Sequence, residues 1–148
     1  MEVIDREKAA RVWQRVRGTG IPTDGGQSLR QLICEEQTDS AALQRLSYRF
    51  RGRQARLLQQ LAEDERAHAS CLKGILLQTE GSCPPINTVP PPLERTDSLL
   101  RRCCDRQQRR LKEYEARTTD PSFGHVYARL AAQEQAHCFM LLTILGRL

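Results

Sequence analysis

The sequence has few aromatic residues, no long apolar run and no regular cysteine pattern, and each absence excludes a class of protein. Phenylalanine, tryptophan and tyrosine together make up 5% of the 148 residues, which leaves few rings to stack on nucleic-acid bases. No apolar run approaches the roughly 20 residues that a helix needs to cross a bilayer, so we expect no membrane partner. No segment alternates between apolar and polar residues as a strand does. The sequence therefore predicts an all-α protein.

The cysteines and the N-terminus bear on where the protein is found. The six cysteines lie at positions 34, 71, 83, 103, 104 and 138, and their spacing matches neither a zinc finger nor a disulfide framework. We interpret most of them as small buried apolar residues in a reducing compartment. The first residues, Met1–Asp5, include acidic side chains and no apolar core of the kind a signal peptide has. The expectation is a cytoplasmic protein.

The charge is basic, with a net value of +5 at pH 7. Much of the positive charge is arginine in segments 45–56 and 101–110. Such a surface could attract nucleic acid or another polyanion. Solvated helix faces have the same composition, however, and we do not expect nucleic acid to be the partner.

Helical periodicity divides the chain into an N-terminal part, residues 1–27, and a helical domain, residues 28–148. A short helix is predicted over residues 6–17, followed by a glycine-rich loop. Ser28 and Gln31 have the spacing of a capping box, which predicts that the next helix starts there.

The connections between the four helices of the domain are short, long and short. Gly52 marks the first. Five prolines forbid a helix in the second, at about residues 79–94, and favour an extended crossover. In the third, Asp120 followed by Pro121 has the pattern of an N-cap and a first helical residue. This order predicts two helical hairpins joined by the long connection.

Two octets that lie 69 residues apart are nearly alike, Leu61–His68 and Leu130–His137. Each contains Glu-x-x-His, and residues three apart share one face of a helix. In both cases the glutamate and the histidine interrupt a stripe that is otherwise apolar. The first stripe comprises Leu58, Leu61, Glu65, His68, Leu72 and Ile75; the second comprises Tyr127, Leu130, Glu134, His137, Leu141 and Ile144.

Buried glutamates at these positions require compensation. A buried carboxylate without a partner costs several kcal/mol, so Glu65 and Glu134 need positive charge if the stripes face the core. Two divalent cations would supply it, with bridging carboxylates and terminal imidazoles. Buried glutamate–arginine pairs could do the same, but the basic residues fall outside these stripes. The alternative is a metal-free core in which the histidines are hydrogen-bonded to the glutamates.

A site for two metal ions also takes one carboxylate from each of the other two helices. In the first helix Glu36 lies on the apolar stripe, whereas the adjacent Glu35 faces a more polar side. In the third helix the position 69 residues after Glu36 is Asp105, which has the arginine-rich neighbours of a solvent-facing residue. The apolar face of that helix instead comprises Leu100, Cys104, Gln107, Leu111 and Tyr114. Asp105, Cys104 as a thiolate, and no ligand at all remain the alternatives for this corner.

The run Leu32–Glu36, the two Glu-x-x-His motifs and the long connection together resemble the rubrerythrin-like branch of the ferritin-like superfamily. The similarity covers about residues 28–146. It implies a ferritin-like antiparallel four-helix bundle with a long crossover between helices 2 and 3, and a non-haem centre of two iron ions. It also implies redox chemistry with peroxide or dioxygen, or a role in iron handling. Manganese or zinc are the alternatives to iron. The ligands that carry over by motif are Glu36, Glu65, His68, Glu134 and His137.

The chain departs from this family in two respects. Full-length rubrerythrins also carry a rubredoxin-like iron module with paired Cys-x-x-Cys motifs, and this chain has none, so the resemblance implies an external electron donor. The fourth carboxylate does not carry over cleanly, which motivates a different function, that of a catalytically degenerate bundle that serves as a binding or scaffolding module. Ferritin-like proteins often self-associate, so a homo-oligomer is compatible with either function.

Overall fold

The structure is a computed structural model that describes residues 27–89, 92 and 94–148. Within these residues it consists of four helices and no strands: α1 spans Leu29–Ser47, α2 Gly52–Glu80, α3 Thr96–Ala116 and α4 Gly124–Leu145. The all-α prediction is confirmed for this part of the chain, whereas the short helix expected at residues 6–17 lies outside it. Among the described helices, none combines the length and apolarity that crossing a bilayer requires.

The capping box predicted at the start of α1 is confirmed. Ser28 Oγ accepts a hydrogen bond from the backbone N–H of Gln31 at 3.1 Å, and the N–H of Ser28 donates to Gln31 Oε1 at 2.8 Å. Two of the N–H groups that a helix start leaves unpaired are thereby satisfied. The chain then turns into α2 at Gly52, whose φ of 60° is readily adopted only by a residue without a Cβ.

The start of α4 differs from the prediction by three residues. Asp120 does act as a cap, since its Oδ1 accepts backbone N–H bonds of 2.8 and 2.7 Å from the residues two and three further on. Residues 121–123 nevertheless form a turn, and the helix begins at Gly124. At Gly124 a Cβ would clash with the carbonyl of Thr118. The backbone at Gly124 therefore passes close to Thr118 before the helix starts. Pro121 lies in the preceding turn and not in the first turn of the helix.

The helices pack as two hairpins, α1 with α2 and α3 with α4, and contacts of α1 with α3 and of α2 with α4 join them. All twelve residues of the two predicted stripes are buried. The apolar core forms two clusters. The first, called cluster A, includes Leu43, Leu58, Leu61, Leu99, Cys104, Cys138 and Leu141; the second, cluster B, includes Leu32, Ile33, Leu72, Tyr114, Tyr127 and Leu130.

The connection between α2 and α3 is extended where it is described, and it lies against α1. Glu80, the last residue of α2, forms a 3.0 Å ion pair with Arg30 in the first turn of α1. Gln37, further along α1, donates a 3.2 Å hydrogen bond to a carbonyl of the connection. Beyond the end of α1, Arg49 donates to the carbonyl of Glu94 at 2.8 Å. The connection thus leaves α2 beside the start of α1, contacts α1 at its middle and reaches Arg49 just past its end.

Candidate metal centre

A layer of buried polar side chains separates cluster A from cluster B. Along each helix, these polar residues lie between the residues of cluster A and the residues of cluster B. Packing of the two hairpins therefore brings them to the same height along the bundle. Their common feature is near-complete burial: Glu36, Asp39, Glu65, Gln107, Arg110 and Glu134 are 0% exposed, His68 3% and His137 4%. Charges buried to this degree are tolerated only when they are paired or bind an ion.

Carboxylates from three helices converge on one nitrogen of His68. Its Nδ1 lies 3.1 Å from Glu65 Oε1, 3.2 Å from Glu134 Oε2 and 3.5 Å from Glu36 Oε2. Each of these four residues offers one ligand atom within 4.8 Å of the other three, so the group could hold a metal ion. A single proton on Nδ1 is shared poorly among three carboxylates, whereas a metal ion can bind several oxygens at once. The choice of Glu36 instead of Glu35 as the carboxylate from α1, made from the sequence, agrees with this placement.

The opposite hairpin holds each imidazole through its other ring nitrogen. His68 Nε2 donates a 2.6 Å hydrogen bond to Gln133 Oε1, and His137 Nε2 donates a 3.1 Å hydrogen bond to Asp64 Oδ2. Gln133 and Asp64 immediately precede the glutamates of the two octets, so the 69-residue repeat relates the two bonds. Metal-binding histidines are commonly oriented in this way. Sequence reasoning missed both residues, although the aligned octets contained the signal.

Arg110 of α3 is the buried cation of the layer. Its guanidinium nitrogens lie 2.7–3.4 Å from the carboxylates of Glu35, Glu36, Asp39, Glu65 and Glu134. Buried glutamate–arginine pairs, the alternative source of compensation named from the sequence, are therefore present. The compensating arginine lies outside the two stripes because it comes from the facing helix. Its position three residues after Gln107 and four before Tyr114, both on the predicted apolar face, was the available signal.

The two ligands considered for α3 lie away from the group. Asp105 is exposed, and α3 has no bulge that would turn it inward. Cys104 is buried in cluster A beside Cys138, and burial together with that second thiol raises the pKa of Cys104 to about 12, which keeps it protonated. Gln107 faces the group instead, and its Nε2 donates to Glu65 Oε2 at 2.9 Å. Of the three alternatives, only the absence of an anionic ligand from α3 agrees with these positions.

Some buried polar atoms of the layer have no hydrogen-bond partner within the described part of the chain. They include Glu36 Oε1, Gln107 Oε1 and His137 Nδ1, the last of which lies 3.5 Å from Glu65 Oε1. Asp39 Oδ2 and Glu65 Oε1 also lack a hydrogen bond but lie within ion-pair distance of Arg110 and His68. Buried polar atoms are nearly always paired with protein, water or an ion. Unpaired buried atoms on several residues of one polar layer are therefore a feature expected where a ligand binds.

The carboxylates raise the pKa of both histidines when no metal is bound. Burial alone would lower the pKa of His68, but hydrogen bonds to Glu134, Glu36 and Glu65 raise it well above the ordinary value. The pKa of His137 is raised too, because Glu65 outweighs the effect of burial. Burial tends to raise the pKa of Glu65, yet the two histidines and Arg110 hold it well below the ordinary value. The layer thus contains protons that a metal ion would displace.

Two further side chains donate hydrogen bonds to carboxylates of the layer. The Tyr114 hydroxyl donates a 2.6 Å hydrogen bond to Glu36 Oε2. Arg106 Nε donates to Asp39 Oδ1, also at 2.6 Å. Burial raises the pKa of Asp39 to about 6, and the charges of Arg110 and Arg106 limit the rise.

No protein-family model, no curated protein and no solved structure matches this chain. From its fold and site, the described part of the chain is a helical bundle with a buried carboxylate–imidazole group that could hold a metal ion.

Proposed function

We propose that this protein binds a divalent metal ion in the polar layer of its bundle. The ligands are Glu36, Glu65, His68 and Glu134. The observation that carries the proposal is the convergence of carboxylates from three helices on His68 Nδ1, at 3.1–3.5 Å. Carboxylate oxygen and neutral imidazole are a donor set that iron, manganese and zinc all accept.

The proposed architecture is that of a ferritin-like bundle. Two observations support it: each hairpin contributes one Glu-x-x-His motif from its second helix, and the connection bonds to Gln37 at the middle of α1 and to Arg49 just past its end. Such a connection is expected of a crossover that runs the length of a bundle.

Redox or iron-handling activity follows from the rubrerythrin-like resemblance and is part of the proposal. A bound ferrous ion would supply an electron to peroxide or dioxygen. The residues of the chain would orient the imidazoles, exclude bulk water from the layer and hold protons beside the carboxylates. Because the sequence contains no Cys-x-x-Cys pair, the reducing electrons would come from an external donor.

Metal analysis after anaerobic loading with ferrous iron tests the proposal. We expect at least one ion per wild-type chain, and loss of binding in the double variant Glu65→Gln/His68→Gln. The matched control is His125→Gln, which changes an exposed histidine of α4 and should bind as the wild type does. Less than about half an ion per wild-type chain would reject the proposal, because a folded site loads fully when the ion is in excess.

A second candidate is a metal-free bundle that serves as a binding or scaffolding module. Arg110 favours it, because one buried guanidinium already pairs with five carboxylates. This candidate predicts that Glu134→Gln is as stable as the wild type or more stable, since the change removes a buried charge. It also predicts that iron, manganese and zinc leave the melting temperature unchanged. A metal-dependent rise in the wild type that is absent from Glu134→Gln would reject it.

A further inference from the structure

We infer that Arg110 takes the place of a second cation and limits the metal centre to one ion per chain. The inference rests on the proposed function and goes beyond it by assigning the stoichiometry to one residue. It also departs from the pair of ions that the family resemblance implies.

The division of the carboxylate oxygens is the first argument. Glu65 directs Oε1 to His68 at 3.1 Å and Oε2 to Arg110 at 3.1 Å. Glu134 directs Oε2 to His68 at 3.2 Å and Oε1 to Arg110 at 3.3 Å. In both contacts with Arg110 the nitrogen is Nη2, and Arg110 Nε also reaches Glu134 Oε2 at 3.3 Å. Glu65 therefore gives one oxygen to each cationic group, whereas Glu134 Oε2 contacts both, so each glutamate links His68 to the guanidinium.

The ligands available for a second ion are the next argument. Glu36, Glu65, His68 and Glu134 form a group without His137. A neighbouring ion would share Glu65 and Glu134 and would use His137 Nδ1, which is unpaired. At this level, however, α3 supplies the amide of Gln107 and the guanidinium of Arg110. A guanidinium carries donors only and cannot bind a cation.

The charge of the layer leads to the same stoichiometry. Four fully buried carboxylates, those of Glu36, Asp39, Glu65 and Glu134, face two guanidinium groups, those of Arg110 and Arg106. Counting only these carboxylates and guanidinium groups, one divalent ion makes the set neutral. A second would leave an uncompensated double positive charge in the core, which is strongly unfavourable.

Counting metal ions in three proteins tests the inference. The wild type, Arg110→Glu and Gln107→Glu are loaded anaerobically with excess ferrous iron, freed of unbound ion and analysed for iron per chain. A calorimetric titration with Mn²⁺ supplies an independent count. We expect one ion in the wild type and two in Arg110→Glu. We expect one in Gln107→Glu, which adds a carboxylate from α3 and leaves the guanidinium in place.

The outcomes separate this inference from the proposed function. Two ions per wild-type chain would overturn the inference and leave the proposed function standing, whereas wild-type protein without metal would overturn both. Two ions in Gln107→Glu, or one in folded Arg110→Glu, would show that Arg110 is not the limiting group. If Arg110→Glu does not fold, the counts for the wild type and Gln107→Glu decide.

Discussion

His68 donates a 2.6 Å hydrogen bond from Nε2 to the amide oxygen of Gln133, a residue of the opposite hairpin. The bond fixes the ring so that Nδ1 points into the polar layer. The rings of His68 and His137 then lie nearly parallel, with centroids 5.6 Å apart and 12° between their planes. The orientation of the nitrogen that faces the carboxylates therefore depends on contact between the hairpins, not on either hairpin alone.

Removal of this bond should weaken metal binding. Gln133→Ala leaves the four ligands in place but frees the imidazole of His68, and we expect a 10- to 100-fold loss of affinity for Zn²⁺ or Mn²⁺, the range typical of such orienting residues. Calorimetric titration measures the change. Gln135→Ala, an exposed position two residues further on, is the matched control and should bind normally. Equal affinities in the two variants would contradict an orienting role for Gln133.

The removal of Arg110 should destabilise the metal-free protein strongly. In Arg110→Met the buried carboxylates lose their common partner, and we expect the free energy of unfolding to fall by about 3–5 kcal/mol. Arg109→Met is the control, because that side chain is 57% exposed and such changes usually stay within about 0.5 kcal/mol. Urea denaturation in the presence of a chelator gives both values. Similar stabilities for the two variants would show that the ion pairs contribute little.

The stability of the metal-free protein should decrease as the pH rises above 6.5. The pKa of His68 is raised from its ordinary value of 6.5, so above that pH the folded chain retains a proton that the unfolded chain has lost. The stabilisation is complete below pH 6.5 and is lost as the pH approaches the folded-state pKa. One such histidine gives a slope of about 1.4 kcal/mol per pH unit.

The variant His68→Gln tests the assignment of this slope. His137 shifts in the same direction, so the variant should retain a smaller slope rather than none. Asp39, whose pKa rises from 3.8 to about 6, acts in a lower window. Glu36, whose pKa burial raises well above its ordinary value, shifts stability in the same direction, so the difference between the wild type and His68→Gln, not the wild-type slope alone, assigns the contribution of His68. An identical slope in the wild type and His68→Gln would contradict the assignment.

Two glycine substitutions should have opposite effects. At Gly124 a Cβ would meet the carbonyl of Thr118, so Gly124→Ala should lower the free energy of unfolding by about 1–3 kcal/mol, as overpacking commonly does. At Gly74, an exposed position within α2, a Cβ meets nothing within 4 Å. Gly74→Ala should therefore raise it by about 0.5–1 kcal/mol. Thermal denaturation distinguishes the two, and a stabilising Gly124→Ala would show that the turn adapts.

The parts of the fold that the sequence predicted depend on local periodicity. The stripes of α2 and α4 were correct to the residue because a 3.6-residue period and a repeat both constrain them. The choice of Glu36 rested on the same period in α1. The start of α4 was placed too early because a capping pattern does not reveal the close approach of Gly124 to Thr118.

The inward face of α3 could not be derived in the same way. The segment is rich in arginine, and a helix position is judged polar or apolar from the residue alone. Arg110 is buried because acidic residues of the other three helices surround it, and those contacts exist only in the packed bundle. Long-range charge pairing thus overrode the preference of arginine for solvent.

The reciprocal bonds from His68 to Gln133 and from His137 to Asp64 have a consequence for the order of assembly. Neither half of the molecule possesses a complete site, because each lends the other an acceptor. An ion at this position could therefore be captured only after the halves have docked. During synthesis, complete chelation must wait until Glu134, the last of the four proposed ligands, has left the ribosome, so it follows the docking of the two halves rather than triggering it.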